Sequence, residues 1–189
     1  MHRQPLLQLL RQHKPADANE QAMTQATLAF VEANPDAFER SLLAGHVTGS
    51  AWIVSPDCCQ TLLIHHRKLD RWLQPGGHAD GNPDVAAVAL REAQEETGLS
   101  SLRLVLLSEN VVQLQSSFPI FDVDVHLIPA RNDVPEHLHY DIRFLVEADP
   151  NEPLVISDEV KNIRWFSTKN ALQYADSESI SRLIRKINH

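Results

Sequence analysis

The chain has 189 residues, with 17 Lys and Arg against 25 Asp and Glu, giving a formal net charge of −8 at pH 7. That balance excludes a broadly basic nucleic-acid platform, because phosphate contacts need clustered Lys and Arg. Hydrophobic residues at 43% and charged residues at 22% fit one folded domain with an appendage and exclude wholesale disorder.

No apolar run approaches the roughly 18 residues of a membrane-spanning helix. The opening MHRQPLLQLLRQHKP lacks the small-residue cleavage site of a signal peptide. Cys58 and Cys59 are adjacent, which disfavours a disulfide between them, so a reduced, cytoplasmic chain is expected. Ten histidines stand out, but composition alone cannot assign them to metal binding, proton transfer or the surface.

In chain order, residues 1–44 read as an N-terminal helical extension. Leu6, Leu7, Leu9 and Leu10 make an apolar face that Pro15 stops. Residues 17–34 follow with Ala22, Ala26, Ala29 and Phe30 near helical spacing and Pro35 just beyond. The extension is expected to pack on the main domain or on a second subunit, so a homodimer is one outcome. Strands are predicted at HVTGSAWIVS and QTLLIHHR, with Pro56-Asp57 as the turn between them. A loop holding Pro75, Gly76, Gly77 and Gly81 leads into a helix over about 83–97. Further strands are predicted at LRLVLLSENVVQL, IFDVDVHLIP and YDIRFLVEAD, with a short one at Asn162–Phe166. Helices over 168–174 and 178–187 close the chain. Strands on both sides of a central helix, with helices at each end, imply an α/β layered domain over residues 45–189.

The chemistry concentrates in GHADGNPDVAAVALREAQEETGL, residues 77–99. Glu92, Glu95 and Glu96 lie at i, i+3 and i+4 and so share one arc of a helix. Three carboxylates this close repel one another unless cations intervene. Oxygen donors suit hard divalent ions such as Mg²⁺ or Mn²⁺. Read alone, EAQEE is more often a solvated acidic face. The context changes that: a glycine turn stands upstream, Arg91 sits beside the acids, and Gly98-Leu99 follows directly. Ala86, Leu90, Ala93 and Thr97 lie on a neighbouring arc that can pack on a sheet, and Gly98 is expected to end the helix in a left-handed conformation. At the other end, Asn82 is expected as N-cap with Pro83 at the first helical position.

This segment resembles the Nudix hydrolase signature, which is Gly, five residues, Glu, seven residues, then Arg-Glu-apolar-any-Glu-Glu-any-Gly-apolar. Gly77, Arg91, Glu92, Ala93, Glu95, Glu96, Gly98 and Leu99 all match in register. Pro83 departs from it, standing where the family usually has Glu, a position the resemblance ties to loop support more than to metal binding; Asp80 or Asp84 is the candidate substitute. The lead-in HHRKLDRWLQPGGH also fits, so the resemblance covers roughly residues 46–170.

The resemblance implies a Nudix-type α/β/α sandwich with a mixed central sheet. It implies Mg²⁺-dependent (or Mn²⁺-dependent) hydrolysis of a diphosphate linkage in a small-molecule nucleoside diphosphate derivative. Glu92, Glu95, Glu96 and the Gly77 carbonyl would hold the ions, which neutralise the diphosphate and activate the attacking water. Arg91 would hold a glutamate in place, and Glu159 in SDEVKNIRWF is the candidate extra ligand or general base. The alternative is a Nudix-fold module that binds or senses a nucleotide without hydrolysis; retention of every glutamate of the ion-binding cluster speaks against it. An RNA substrate is disfavoured by the acidic balance.

Outside the motif, alternation puts His126 on one strand face with Asp122 and Asp124, and His137 and His139, two apart, share a face of another strand. Facing strands would unite the three histidines as a second metal site or a phosphate pocket; otherwise they are solvent-facing polar residues. His78 follows Gly77 and either touches a phosphate or caps the loop. Arg131 and Arg143 are candidates for a substrate phosphate, because guanidinium forks suit phosphate.

Overall fold

In the computed structural model of the protein, the described residues are 2–106, 118–131, 134–158, 160–174 and 178–188. Two helices open the chain, α1 (Gln4–Gln12) and α2 (Ala18–Ala33). Asp17 caps α2 by accepting from the Glu20 backbone N–H. The strands are β1 (Gly45–Val54), β2 (Gln60–His66), β3 (Arg71–Leu73), β4 (Gly76–His78), β5 (Arg103–Leu104), β6 (Asp122–Ile128), β7 (His137–Glu147) and β8 (Val160–Ser167). The helix α3 (Val85–Thr97) lies between β4 and β5, and α4 (Thr168–Ala171) and α5 (Glu178–Ile187) close the chain.

These strands form one mixed sheet. Its spine is the parallel pair β1 and β7, running from Gly45 opposite Leu138 to Val54 opposite Glu147. Two strands share each outer edge of this spine. On one side β4 pairs with the first half of β1 and β2 with its end. On the other side β6 pairs with the first half of β7 and β5 with its end. The β1–β7 pairing joins segments far apart in the chain, and local alternation does not reveal it.

The alternation of β1 sorts its side chains between two cores. Val47, Ala51 and Ile53 face a core shared with Val123, Ile142, Phe144 and Val146 and with Val85, Val88 and Ala89 of α3. Leu6, Leu7, Leu10, Phe30 and Val31 bury their side chains in this same core, so the N-terminal helices complete the domain's own layer. On the opposite face Trp52, Val54, Leu63 and Leu145 pack beneath Ile180, Leu183 and Ile184 of α5. The result is helices on both faces of a mixed sheet. No helix among the described residues is long and apolar enough to cross a membrane.

The strand expected over LRLVLLSENVVQL begins as expected at Arg103–Leu104, and its remainder from residue 107 lies outside the described residues. One expectation needs correction: the N-cap of α3 is Asp84, whose side chain accepts from the Ala87 N–H, and not Asn82. Asn82 instead accepts from the Asp84 N–H through Oδ1, so Pro83 stands before the cap in the turn. The physical reason is competition between two short polar acceptors, and the one nearer the helix caps it. At the other end Gly98 adopts φ 74° and its N–H reaches the Gln94 carbonyl, as the left-handed cap requires.

Candidate active site

The site begins where α3 meets β4. Gly77 pairs with Gly49 of β1, and the Glu92 carboxylate packs against it. A Cβ at Gly77 would lie 2.3 Å from Glu92 Oε2, so only glycine leaves room for this close approach. Glu96 is buried, and its Oε2 accepts from the Gly76 backbone N–H at 3.0 Å. Glu95 is the exposed member of the three. Arg91 ties the group together. Its Nη2 lies 2.8 Å from Glu92 Oε1 and donates to the His78 carbonyl at 3.2 Å, while its Nη1 is 3.5 Å from Glu95 Oε2. Thus helix periodicity and the glycine turn bring Gly77, Arg91, Glu92, Glu95 and Glu96 to one end of the sheet. Asp80, at φ 48°, anchors the intervening loop through a bidentate pair with Arg40.

The donors at this end are carboxylate and backbone oxygens, with an arginine to position them. That is the set preferred by hard divalent cations. The missing side chain at Gly77 lets the Glu92 carboxylate lie directly against the β4 backbone, which fits an oxygen-donor set for such an ion.

On the sheet face away from α3, pairing aligns two rows of polar residues. Asp122, Asp124 and His126 of β6 stand opposite Arg143, Asp141 and His139 of β7. Next to them, His46, Thr48 and Ser50 of β1 stand opposite His139, Asp141 and Arg143. The charged half is buried under α5. Arg143, 3% exposed, donates to Asp141 Oδ2 at 2.8 Å, to Asp122 Oδ2 at 3.2 Å and to Ser179 Oγ at 2.6 Å. Thr48 and Ser50 hydroxyls donate to Asp141 Oδ1 at 2.9 and 2.8 Å. The expectation that Arg143 contacts a substrate phosphate is therefore corrected: three buried aspartates engage its guanidinium. Burial alone would raise the Asp124 carboxyl, but Arg143, His126 and Arg182 outweigh it and hold Asp124 well below the usual carboxylate range.

The other half of this face carries histidines. His126 is the direct cross-strand partner of His139, with ring centroids 5.5 Å apart. His137 Nε2 lies 3.3 Å from His139 Nε2. The three expected histidines are thus brought together, and two more join them. His46 and His78 have ring centroids 4.7 and 5.1 Å from His139. Burial, reinforced by His78 and His137, pushes His46 down to about 4. Burial, with His46, His126 and His78 adding to it, pushes His139 down to about 2. Glu159 lies outside the described residues. Arg131 is exposed at a short bridge to Val134, away from this cluster in the pairing scheme.

The NUDIX domain family profile matches residues 47–187. The chain belongs to the Nudix hydrolase family. Over 124 residues it is 27% identical to the bis(5'-nucleosyl)-tetraphosphatase [asymmetrical] of Rattus norvegicus, covering 65% of this chain and 70% of that protein. Among solved structures, a NUDIX family hydrolase from Clostridium perfringens superimposes with a TM-score of 0.58 at 20% identity, covering 76% of this chain and 96% of the other. A C. elegans Ap4A hydrolase binary complex gives 0.55 at 19% identity, covering 75% and 94%. The structural likenesses establish the fold of this Nudix hydrolase: a curled mixed sheet between helices.

Sequence reasoning does not reach His46. It opens β1, and only the parallel register with β7 sets it opposite His139. A histidine at the start of a long buried strand is the available signal. The cradle at Gly77 gives a direct prediction. Gly77→Ala forces the Glu92 carboxylate aside by about an ångström, and misplacement on that scale costs up to about 10²-fold in rate. A fall of tenfold or more in kcat with an unchanged thermal midpoint is expected. Equal kcat in the purified variant would show that Glu92 need not sit against residue 77.

Proposed function

We propose that this Nudix hydrolase uses Mg²⁺ or Mn²⁺ to hydrolyse a phosphoanhydride in a nucleoside diphosphate derivative. The observation that carries the reading is the way α3 meets the glycine turn: Glu92 packs on Gly77, Glu96 accepts from the Gly76 N–H, and Arg91 pairs with Glu92 and Glu95. Glu92, Glu95, Glu96 and the Gly77 carbonyl would hold the cation. Bound there, it would supply charge neutralisation of the diphosphate and a lowered pKa for water.

The chain's own residues do the rest. Arg91 holds Glu92 and Glu95 at fixed separation and pins the loop through the His78 carbonyl. The Gly76 N–H donates to Glu96 Oε2 and orients its carboxylate. Water attacks one phosphorus, the anhydride P–O bond breaks, and the leaving phosphate takes the electron pair. The proton from water passes to a carboxylate, and Glu159 is the proposed base or additional ligand. Positioning and charge stabilisation carry this kind of transfer. The net charge of −8 does not oppose a polyanionic substrate, because part of that acidity is the glutamate cluster itself.

The rat relative acts on a bis-nucleosyl tetraphosphate by its name, so dinucleoside polyphosphates head the substrate panel. The purified chain is offered dinucleoside polyphosphates, nucleotide sugars, nucleoside triphosphates and capped RNA with Mg²⁺, Mn²⁺ or EDTA. Turnover of at least one small-molecule class with Mg²⁺ or Mn²⁺, and none with EDTA, is expected. Nucleotide binding without turnover of any class would replace this reading with a sensing module.

A further inference from the structure

The five histidines on the face away from α3 come from four different strands. His46 is on β1, His78 on β4, His126 on β6, and His137 and His139 on β7. The mechanism proposed above uses none of their rings. Their placement follows from register. His46 and His139 are parallel partners, His126 and His139 are antiparallel partners, and His78 stands opposite Thr48, one strand position along the same face.

Three of them form a compact donor set. One ring nitrogen each from His46, His78 and His139 can be chosen so that all three lie within 4.8 Å of one another. Nitrogens that share one tetrahedral ion at about 2.0–2.1 Å stand about 3.4 Å apart, so a small inward turn of these rings closes the set on an ion. The second observation concerns His46 alone. Its side chain is 3% exposed, and neither ring nitrogen has a hydrogen-bond partner. Buried polar atoms almost always find partners, and an orphaned imidazole inside a ring of imidazoles asks for one. A metal ion is the partner that satisfies several imidazoles at once. His78 and His139 are only partly buried, so an ion has a route to the cluster. His137 stands 3.3 Å from His139 and helps fix its ring, as neighbours of ligating histidines commonly do.

We propose that His46, His78 and His139 form a second metal site, selective for a borderline first-row ion of the Zn²⁺ type. Its chemistry differs from that of the glutamate cluster. Imidazole nitrogen suits zinc, copper, nickel and iron, whereas carboxylate and carbonyl oxygen suit Mg²⁺ and Mn²⁺. Three imidazoles leave one position of a tetrahedral ion for water or a phosphate oxygen. His78 directly follows Gly77, so a single step along β4 passes from the oxygen cradle to the nitrogen site. The two sites nevertheless have separate ligands and opposite preferences.

The test uses the full chain, stripped with a chelator and titrated with Zn²⁺ against a chromophoric competitor in excess Mg²⁺. Binding of about one equivalent of Zn²⁺ is expected, with visible Co²⁺ absorption typical of low-coordinate nitrogen ligation on substitution. Glu95→Gln is expected to retain this zinc, while His78→Gln and His139→Gln weaken it by about 100-fold or more. Circular dichroism of the metal-free variants checks folding. His78, like His139, is only partly buried, so His78→Gln carries the test should His139→Gln fail to fold. No saturable zinc, or zinc retained by a folded His78→Gln variant and lost from Glu95→Gln, overturns the proposal. Hydrolysis with Mg²⁺ alone is a separate readout, so failure of the catalytic reading and failure of the zinc site are distinguishable.

Discussion

Replacing Glu95 by Gln is expected to lower kcat by about 10²-fold or more while leaving the thermal midpoint unchanged. The amide keeps the shape of the side chain and removes its charge. Ion-mediated stabilisation of a developing phosphoryl charge is worth several kcal/mol, and each ~1.4 kcal/mol is tenfold in rate. Losing one of three carboxylates therefore reaches two orders of magnitude readily. Stability is a separate matter. Glu95 is 59% exposed, and its ion pair with Arg91 is long at 3.5 Å. Exposed pairs of this kind contribute little to folding.

Glu96 makes the informative contrast. It is 6% exposed and accepts from the Gly76 N–H, so Glu96→Gln disturbs the loop as well as the charge. Steady-state kinetics with saturating Mg²⁺, set beside thermal melts, separates the two roles. Full activity in Glu95→Gln would remove Glu95 from the ion-binding set. Partial rescue at high Mn²⁺ would point to weakened ion binding and not to a lost base.

Helix periodicity makes α3 legible in the sequence, because three glutamates at i, i+3 and i+4 and a terminal glycine are local signals. Period-two alternation likewise places Asp122, Asp124 and His126 on one face of β6, and the pairing agrees. What the residues do not disclose is which elements cover those faces. Arg143 looks available for a phosphate because only Asp141, two residues along β7, is near it in the chain. The partners that complete its burial come from β6 and α5, 21 and 36 positions away. His46 escapes notice for the same reason, since its neighbour His139 is reached only through the parallel β1–β7 pairing. The cap of α3 fails differently, as a contest between Asn82 and Asp84 settled by which acceptor stands nearer the first turn.

The second large effect is on stability. Asp122→Ala is expected to cost about 3–5 kcal/mol, the range found when one partner of a buried ion cluster is removed. Asp122 has no exposed surface and serves three cations. Its Oδ1 accepts from Arg182 Nε at 2.8 Å and lies 2.9 Å from Lys186 Nζ; its Oδ2 accepts from Arg182 Nη2 at 2.8 Å and from Arg143 Nη1 at 3.2 Å. These bonds fasten α5 across the sheet where β6 would otherwise present a bare row of carboxylates.

Removing the carboxylate leaves Arg182 and Arg143 buried and only partly balanced. Asp124 and Asp141 remain for them, and Glu20 remains for Lys186. That residual pairing places the loss nearer ~3 than ~5 kcal/mol. Chemical denaturation measures it directly. In a domain of this size the midpoint temperature should fall by roughly 2–4 °C for each kcal/mol lost. A loss below ~1 kcal/mol, the level of a surface pair, would mean that the remaining aspartates alone hold the cluster together. The variant also separates fold from site. Asp122 lies in the half of the sheet face under α5, and the Gly77 cradle lies against α3 on the opposite face. Below its lowered midpoint, Asp122→Ala is therefore expected to retain kcat, in contrast to Glu95→Gln, which retains its midpoint and loses turnover.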